Sequence, residues 1–399
     1  MLEKISISGF KSIKSLNDFE LKPINILIGA NGAGKSNFID FFRMLRAMLE
    51  FKIAELNNNP SLSAYIEDKG GMTNLLFNGP KTKTIATELI FNKGKNGYRF
   101  KLDITSSAGF LINDEACYYE GAQPGKEWWI LGGGYTRPQL LQEQHSKTYE
   151  TRYNYIYDTI KSWQIYHFHD TSRLSGVRMP CDITDNKYFH FDASNIAAFL
   201  YSLKEGDYGA YVAPSLNKPS ERKLIPSQKA KDSYEQIVEA IKIIAPYFED
   251  FILIPPKEDE KNNLIKLQWK QKGSDIDMQS YHLSDGTLRF ICLATALLQP
   301  NPPQLLLIDE PELGLHPEAL SLLSELIHLC SEHTQIIAST QSPAFADLFT
   351  PEEIVTVRRK DGGTVFERLN ADTLNAWLNN FSIGQLWRKN VIKGGIVNE

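Results

Sequence analysis

An α/β fold built on a mostly parallel sheet, with a β-rich and helical insertion between its two halves, is what the sequence predicts. Three observations carry that expectation. Strand-like apolar runs alternate with amphipathic helical stretches at both ends of the chain, the order from which parallel sheets are built. A glycine-rich loop, GANGAGKS at 29 to 36, stands between such a run and a helix close to the N-terminus. Between about 82 and 120 the pattern changes to short runs of strand character, TIATELIF, YRFKLDI and ACYYE, followed by Gly, Pro and Gln as far as Trp163.

Each element follows in order. Leu2, Ile5 and Ile7 alternate with Glu3, Lys4, Ser6 and Ser8, as an edge or one-sided strand does. Ile24 to Ile28 is a buried strand, and after the glycine loop Phe38, Ile39, Phe42, Leu45 and Leu49 form the apolar stripe of a helix. WQIYHFHD at 163 to 170 reads as a further strand, and DASNIAAFLYSL at 192 to 203 as a helix capped by Asp192 or Ser194. The segment 214 to 231 has three prolines and five Lys or Arg, the composition of an exposed connection. Ser233 and Gln236 fit a capping box for a helix reaching the Pro246 region. LIKLQWKQ and SDIDMQSYHL are expected strands, 285 to 298 a helix, PPQLLLIDE a buried strand, PEALSLLSELIHLCSEH a helix with Pro317 near its first turn, and QIIAST a strand. The expected division is an N-terminal part at 1–80, an inserted lobe at 81–230 and a C-terminal part at 231–399.

Composition narrows the function. With 42% hydrophobic and 11% aromatic residues the chain can build substantial cores. A formal charge of -5 and a pI near 6.0 argue against wholesale coating of a polyanion. Cys117, Cys181, Cys292 and Cys330 show neither disulfide nor zinc spacing. No run approaches the roughly 18 apolar residues of a membrane span, so a cytoplasmic protein without membrane partners is expected.

The chemistry concentrates in two motifs. Gly29, Ala30, Asn31, Gly32, Ala33, Gly34, Lys35 and Ser36 satisfy G-x-x-x-x-G-K-[ST] between a strand and a helix, the context in which backbone N–H groups cradle a phosphate. Lys35 is expected to reach β- and γ-phosphate oxygens, the Ser36 hydroxyl to hold Mg²⁺, and Asn37 to join the residues that bind the nucleotide. The second motif, LLLIDE at 305 to 310, ends a buried strand in two carboxylates. Asp309 is assigned to Mg²⁺ and Glu310 to polarising the attacking water. Read alone, LLLIDE is equally an ordinary strand end.

Together with DEPELGLHP (309 to 317) and LSDGT (283 to 287), GANGAGKS resembles the ATPases of the ABC type, in the branch containing RecF, SMC and OLD-family proteins. GFKSIKS, GGMTNLLFNG, YHFHDTS, DASNIAAFLYSL and FSIGQLWRKNVIKGG extend the resemblance, from end to end, to stand-alone bacterial ATPases of that branch. The resemblance implies an ABC-type P-loop NTPase domain with ATP and Mg²⁺ as cofactors. It also implies a homodimer, or higher even oligomer, in which Ser284 and Gly286 of one copy close over the γ-phosphate held by another. Gly314 to Pro317 would be the loop where paired copies touch. Relatives place a histidine where this chain has Gln341, so slow hydrolysis, or hydrolysis resting wholly on Glu310, is expected. The glutamine that follows the first helix by one strand in ABC proteins has no counterpart placed in this sequence.

The role implied is a switch regulating an effector encoded nearby, a nuclease or toxin, in anti-phage defence. An ATP-gated DNA clamp in repair is the alternative, and a transporter subunit a distant third. Asp275 and Asp277 form a D-x-D without a Glu partner and read as surface carboxylates. His167, His169 and Asp170 admit a metal site or a half-buried strand beside a turn. Arg173 and Arg178 read as surface arginines, and Lys218, Arg222, Lys223, Lys229 and Lys231 as a solvated linker, with phosphate contacts the alternative for both groups.

Overall fold

The computed structural model describes residues 1–49, 62–105, 109–120, 128–141, 150–206, 209–210, 223–224, 227–257 and 262–392. The chain opens with strands β1 (Leu2–Phe10), β2 (Ile13–Glu20) and β3 (Ile24–Ile28), helix α1 (Lys35–Leu49) and the short helix α2 (Leu62–Asp68). Four strands follow: β4 (Thr84–Phe91), β5 (Asn96–Ile104), β6 (Phe110–Tyr119) and β7 (Trp129–Gly132). Next come α3 (Glu150–Ser162), β8 (Gln164–Tyr166), β9 (Cys181–Asp182), α4 (Ile196–Glu205), β10 (Gly209–Ala210), β11 (Lys223–Leu224) and α5 (Ser227–Ile244). Strands β12 (Phe248–Ile252), β13 (Leu264–Ile265), β14 (Gln268–Gln271) and β15 (Asp277–Gln279) lead to α6 (Asp285–Leu297). The remainder is β16 (Leu305–Asp309), α7 (Pro317–Ser331), β17 (Gln335–Thr340), α8 (Pro343–Ala346), β18 (Ile354–Lys360), β19 (Gly363–Arg368), α9 (Ala371–Leu378) and α10 (Ile383–Arg388).

Two six-stranded sheets organise these elements. The first runs β19-β18-β3-β17-β16-β8, parallel except for the β18–β19 hairpin. Its central strands are buried on both faces, and the period-two alternation divides their side chains between two cores. Ile24, Ile26, Ile308 and Ile336 join one core with α4 to α7, while Leu27, Leu305, Leu307 and Ile337 join the other with α1. The second sheet, antiparallel in order β2-β1-β4-β5-β6-β7, covers that other core.

Helix α1 is therefore sandwiched between the sheets. Phe41, Met44 and Met48 are buried along with the expected stripe, because a helix packed on both sides is apolar nearly all round. β1 is an interior strand with neighbours on both sides, which corrects the edge reading: its polar positions are only partly covered while pairing continues through β4. Strand pairing thus runs across position 81, and β8 joins the parallel sheet beside β16.

Three local expectations also change. Helix α4 begins after Asn195, whose side chain makes no cap bond, whereas Asp192 accepts from the Ser194 N–H within the preceding turn. Helix α5 begins at Ser227, six residues before the expected cap, and Ser233 is buried in its interior. The strand expected over 163 to 170 spans Gln164–Tyr166. Lys218 and Arg222 lie outside the described residues, while Lys229 and Lys231 are exposed on α5. No helix among the described residues is long and apolar enough to cross a membrane.

Candidate functional site

Parallel strands β3, β17, β16 and β8 all deliver their C-terminal ends to one rim of the sheet, where ligands of open α/β folds bind. The glycine loop leaves β3 there. Gly32 and Gly34 have φ of +76° and +114°, a backbone region closed to most L-residues, so glycine is required for the loop to curl. The curl is backed from behind. A Cβ on Gly29 would strike the Val357 carbonyl, and one on Gly34 would strike the Thr364 side chain. The Thr364 hydroxyl donates to Ala33 O at 2.9 Å and lies 2.7 Å from Ser12 Oγ, which also accepts from Asn37 Nδ2 at 2.7 Å. The GFKS turn is thereby fastened to the loop, and Lys11 adds an ion pair with the buried Asp40 of α1.

Lys35 is 5% exposed and donates from Nζ to Gly29 O at 2.6 Å and Ala30 O at 3.2 Å. Burial lowers its pKa, while Glu310, Asp309 and Glu312 pull the other way and favour the ammonium. Ser36 is exposed at the mouth. Asp309 ends β16 and accepts from the Ser339 hydroxyl of β17. Glu310 follows at φ +47°, and this left-handed turn carries its carboxylate out of the strand's alternation to Gln341, whose Nε2 donates to Glu310 Oε1. Glu312 is held by Thr340 Oγ1 at 2.5 Å and Gln341 N at 3.0 Å. Its Oε2 is buried without a partner among the described residues, and burial raises its pKa.

A fit to Mg²⁺-ATP rests on these features: an inward-curled loop, an ammonium bonded to that loop's own carbonyls, and an oxygen donor set of hydroxyl and carboxylate suited to a hard cation. Ser36 and Asp309 would be the residues to hold the metal.

The segment leaving β8 brings the H-x-H pair noted in the sequence to the same rim. The strand's register pairs Tyr166 with Ile308, so His167 follows at the level of Asp309. His169 Nε2 lies 2.9 Å from Asp309 O, and the two imidazoles are 4.0 Å apart. Burial, then His169 and Arg43, lower the pKa of His167. No group of three potential metal-ligating side chains occurs among the described residues.

Ser284 belongs to a different element. It is exposed and caps α6, accepting from Thr287 N at 3.1 Å with Thr287 Oγ1 at 2.8 Å. Gly286 packs against the Gly314 carbonyl, where a Cβ would collide. Arg178 corrects its surface reading: its side chain is 7% exposed and spends its donors on the residues around this corner.

A family model described as "AAA domain, putative AbiEii toxin, Type IV TA system" matches residues 24–130 and 183–347. No curated protein matches the chain. Among solved structures, an Smc head bound to the C-winged helix domain of ScpA shares 15% identity over 94% of this chain and 99% of that one, with a TM-score of 0.57. The Smc head domain with an extended coiled coil, bound to the C-terminal domain of ScpA and derived from Pyrococcus furiosus, shares 17% over 95% and 98%, with a TM-score of 0.51. At these identities the likeness is one of fold.

Proposed function

The chain belongs to this family of AAA domains and is an ATPase of the ABC type, and from that premise we propose that two copies close head to head around two Mg²⁺-ATP. The Ser284–Gly286 corner of each then meets the nucleotide of the other. One observation carries the reading: the loop, the ammonium and the carboxylates converge at one rim, while Ser284 is exposed and, among the described residues, bonded only within its own helix.

The residues divide the work. Backbone N–H groups of residues 29 to 36 bind the phosphates, and Lys35 leaves Gly29 O and Ala30 O for β- and γ-oxygens. Ser36 and Asp309 would hold Mg²⁺, which would supply charge neutralisation at the phosphates. Glu310 orients and polarises the attacking water, and Gln341 holds that carboxylate through its amide. An amide carries no proton and no charge, so turnover is slow and the closed pair long-lived. ATP favours closure because only it offers the γ-phosphate to Ser284 and Gly286, and hydrolysis removes that difference.

The closed pair presents a surface to an effector encoded separately. Smc heads of this fold are seen bound to a ScpA domain, which supports a protein partner, and co-purification with products of neighbouring genes tests it. Glu310→Gln is expected to retain ATP and accumulate as a pair by light scattering, whereas Lys35→Ala stays single. A Gln variant hydrolysing at the parental rate would remove Glu310 from its role.

A further inference from the structure

In the head-to-head reading, on which this inference rests, the Ser284 corner must be presented accurately to a second copy. The helix start alone does not ensure that, since among the described residues Ser284 bonds only to its own first turn. The fixing comes from a residue 107 positions away, as the separation of Arg178 and Asp285 records. Arg178 donates from Nη2 to Asp285 Oδ1 at 2.8 Å and to Leu283 O at 3.4 Å, from Nη1 to Ser280 O, and from Nε to Thr171 O at 2.7 Å. Its own carbonyl accepts from Ser280 Oγ at 3.2 Å. Its acceptors at 280, 283 and 285 therefore bracket Ser284 on both sides.

Thr171 lies on the segment leaving β8, and a second arginine ties α6 to that segment. Arg289 donates to Phe168 O at 3.3 Å, His169 O at 2.9 Å and Leu313 O at 3.0 Å. Because His169 in turn touches Asp309 O, the corner is referenced to the strand ends of its own protomer. Only a planar guanidinium can reach such divergent carbonyls at once, whereas an ammonium is a single point of charge.

We propose that Arg178 is a positioning residue that sets the Ser284–Gly286 corner for the nucleotide of the partner copy, so that its effect is exerted in trans. Arg178→Gln removes charge and fork, and Arg178→Lys keeps the charge. Each variant is expected to bind a non-hydrolysable ATP analogue within about twofold of the parent while its turnover falls on the order of a hundredfold, the cost of a misplaced group.

The deciding measurement mixes copies. An Arg178→Gln copy has a sound loop and Glu310, and a Glu310→Gln copy has a sound corner. Mixed in equal amounts before Mg²⁺-ATP is added, two inactive proteins should give in the first turnover roughly a quarter of the parental product, because half of randomly assorted pairs are mixed and each carries one complete site of two. Ser284→Arg mixed with Glu310→Gln is the control and should recover likewise. Recovery of the control without recovery of the Arg178→Gln mixture overturns the role of Arg178 alone, and failure of both mixtures overturns the head-to-head reading. Parental turnover by Arg178→Gln also sinks the proposal. Should the Gln variant fail to bind analogue, Arg178→Lys takes its place in the same mixtures.

Discussion

Glu310 and Asp158 show two ways in which a carboxylate departs from its ordinary setting. Glu310 sits at φ +47°, a conformation a non-glycine residue holds only when its surroundings enforce it. Here the enforcement comes from its N–H bonded to Ser339 O at 2.9 Å and its carbonyl bonded by Leu313 N at 3.2 Å. Asp158, on α3, is distorted by solvation instead. Its Oδ1 is buried without a partner among the described residues, and burial raises its carboxyl from 3.8 to about 6, with Lys161 opposing. The folded chain thus holds this proton more tightly than the unfolded chain. The stabilisation is fully present below the unfolded value and is lost as pH rises through about 6. At about 1.4 kcal/mol per pH unit, Asp158 costs on the order of 2 to 3 kcal/mol at neutral pH. Asp158→Asn should therefore stabilise the protein, with a gain that grows by about 2 kcal/mol between roughly pH 4.5 and 7.5 in urea unfolding. A gain independent of pH would remove the burial account.

Helix α6 is where local legibility ends and tertiary constraint begins. Its start was readable, because Ser284 followed by a polar first turn is a cap signal, and the helix begins at Asp285. The loop at 29 to 36 and LLLIDE were readable for the same reason: their chemistry lies in contiguous spacing beside a strand. What spacing could not reveal is that Gly286 abuts the Gly314 carbonyl, or that a Cβ on Gly314 would strike Arg289. Gly286→Ala is accordingly expected to force α6 and the 313–315 turn apart at a cost of about 1 to 3 kcal/mol, the usual range for overpacking. Denaturant unfolding reads the cost, and nucleotide-driven pairing should weaken while analogue binding by the single copy is unchanged. Unreadable in the same way were Arg178, met as one exposed-looking arginine in a polar stretch, and the place of β8 beside β16, since the run at 163 to 170 announces a strand but not its neighbour. The all-round burial of α1 likewise depends on a sheet contributed by distant residues, so its second apolar face carried no sequence signal of a partner.

At the scale of the whole molecule, residues near the two ends of the chain cooperate to build the candidate nucleotide site. Gln335 donates from Nε2 to Leu2 O at 2.8 Å and to Lys22 O at 3.1 Å, and accepts from Leu2 N at 3.1 Å, binding the first strand to the parallel sheet. The β18–β19 hairpin then backs the glycine loop through Val357 and Thr364. A cradle assembled in this way is stabilised by whatever it binds, by RT ln(1 + [L]/Kd), or about 2.7 kcal/mol at a hundredfold excess over Kd. If the ligand is also gripped by a second copy, protein concentration enters the same linkage. For Glu310→Gln in saturating Mg²⁺-ATP, each tenfold rise in protein should then add about 0.7 kcal/mol per protomer, half of the 1.4 kcal/mol that a factor of ten represents for the pair. The thermal midpoint is expected to climb with protein concentration in ATP, to stay flat in ADP, and to stay flat for Lys35→Ala under either nucleotide. A midpoint raised by ATP yet indifferent to protein concentration would mean that each copy encloses its nucleotide alone, leaving the exposed Ser284 corner without the partner assigned to it.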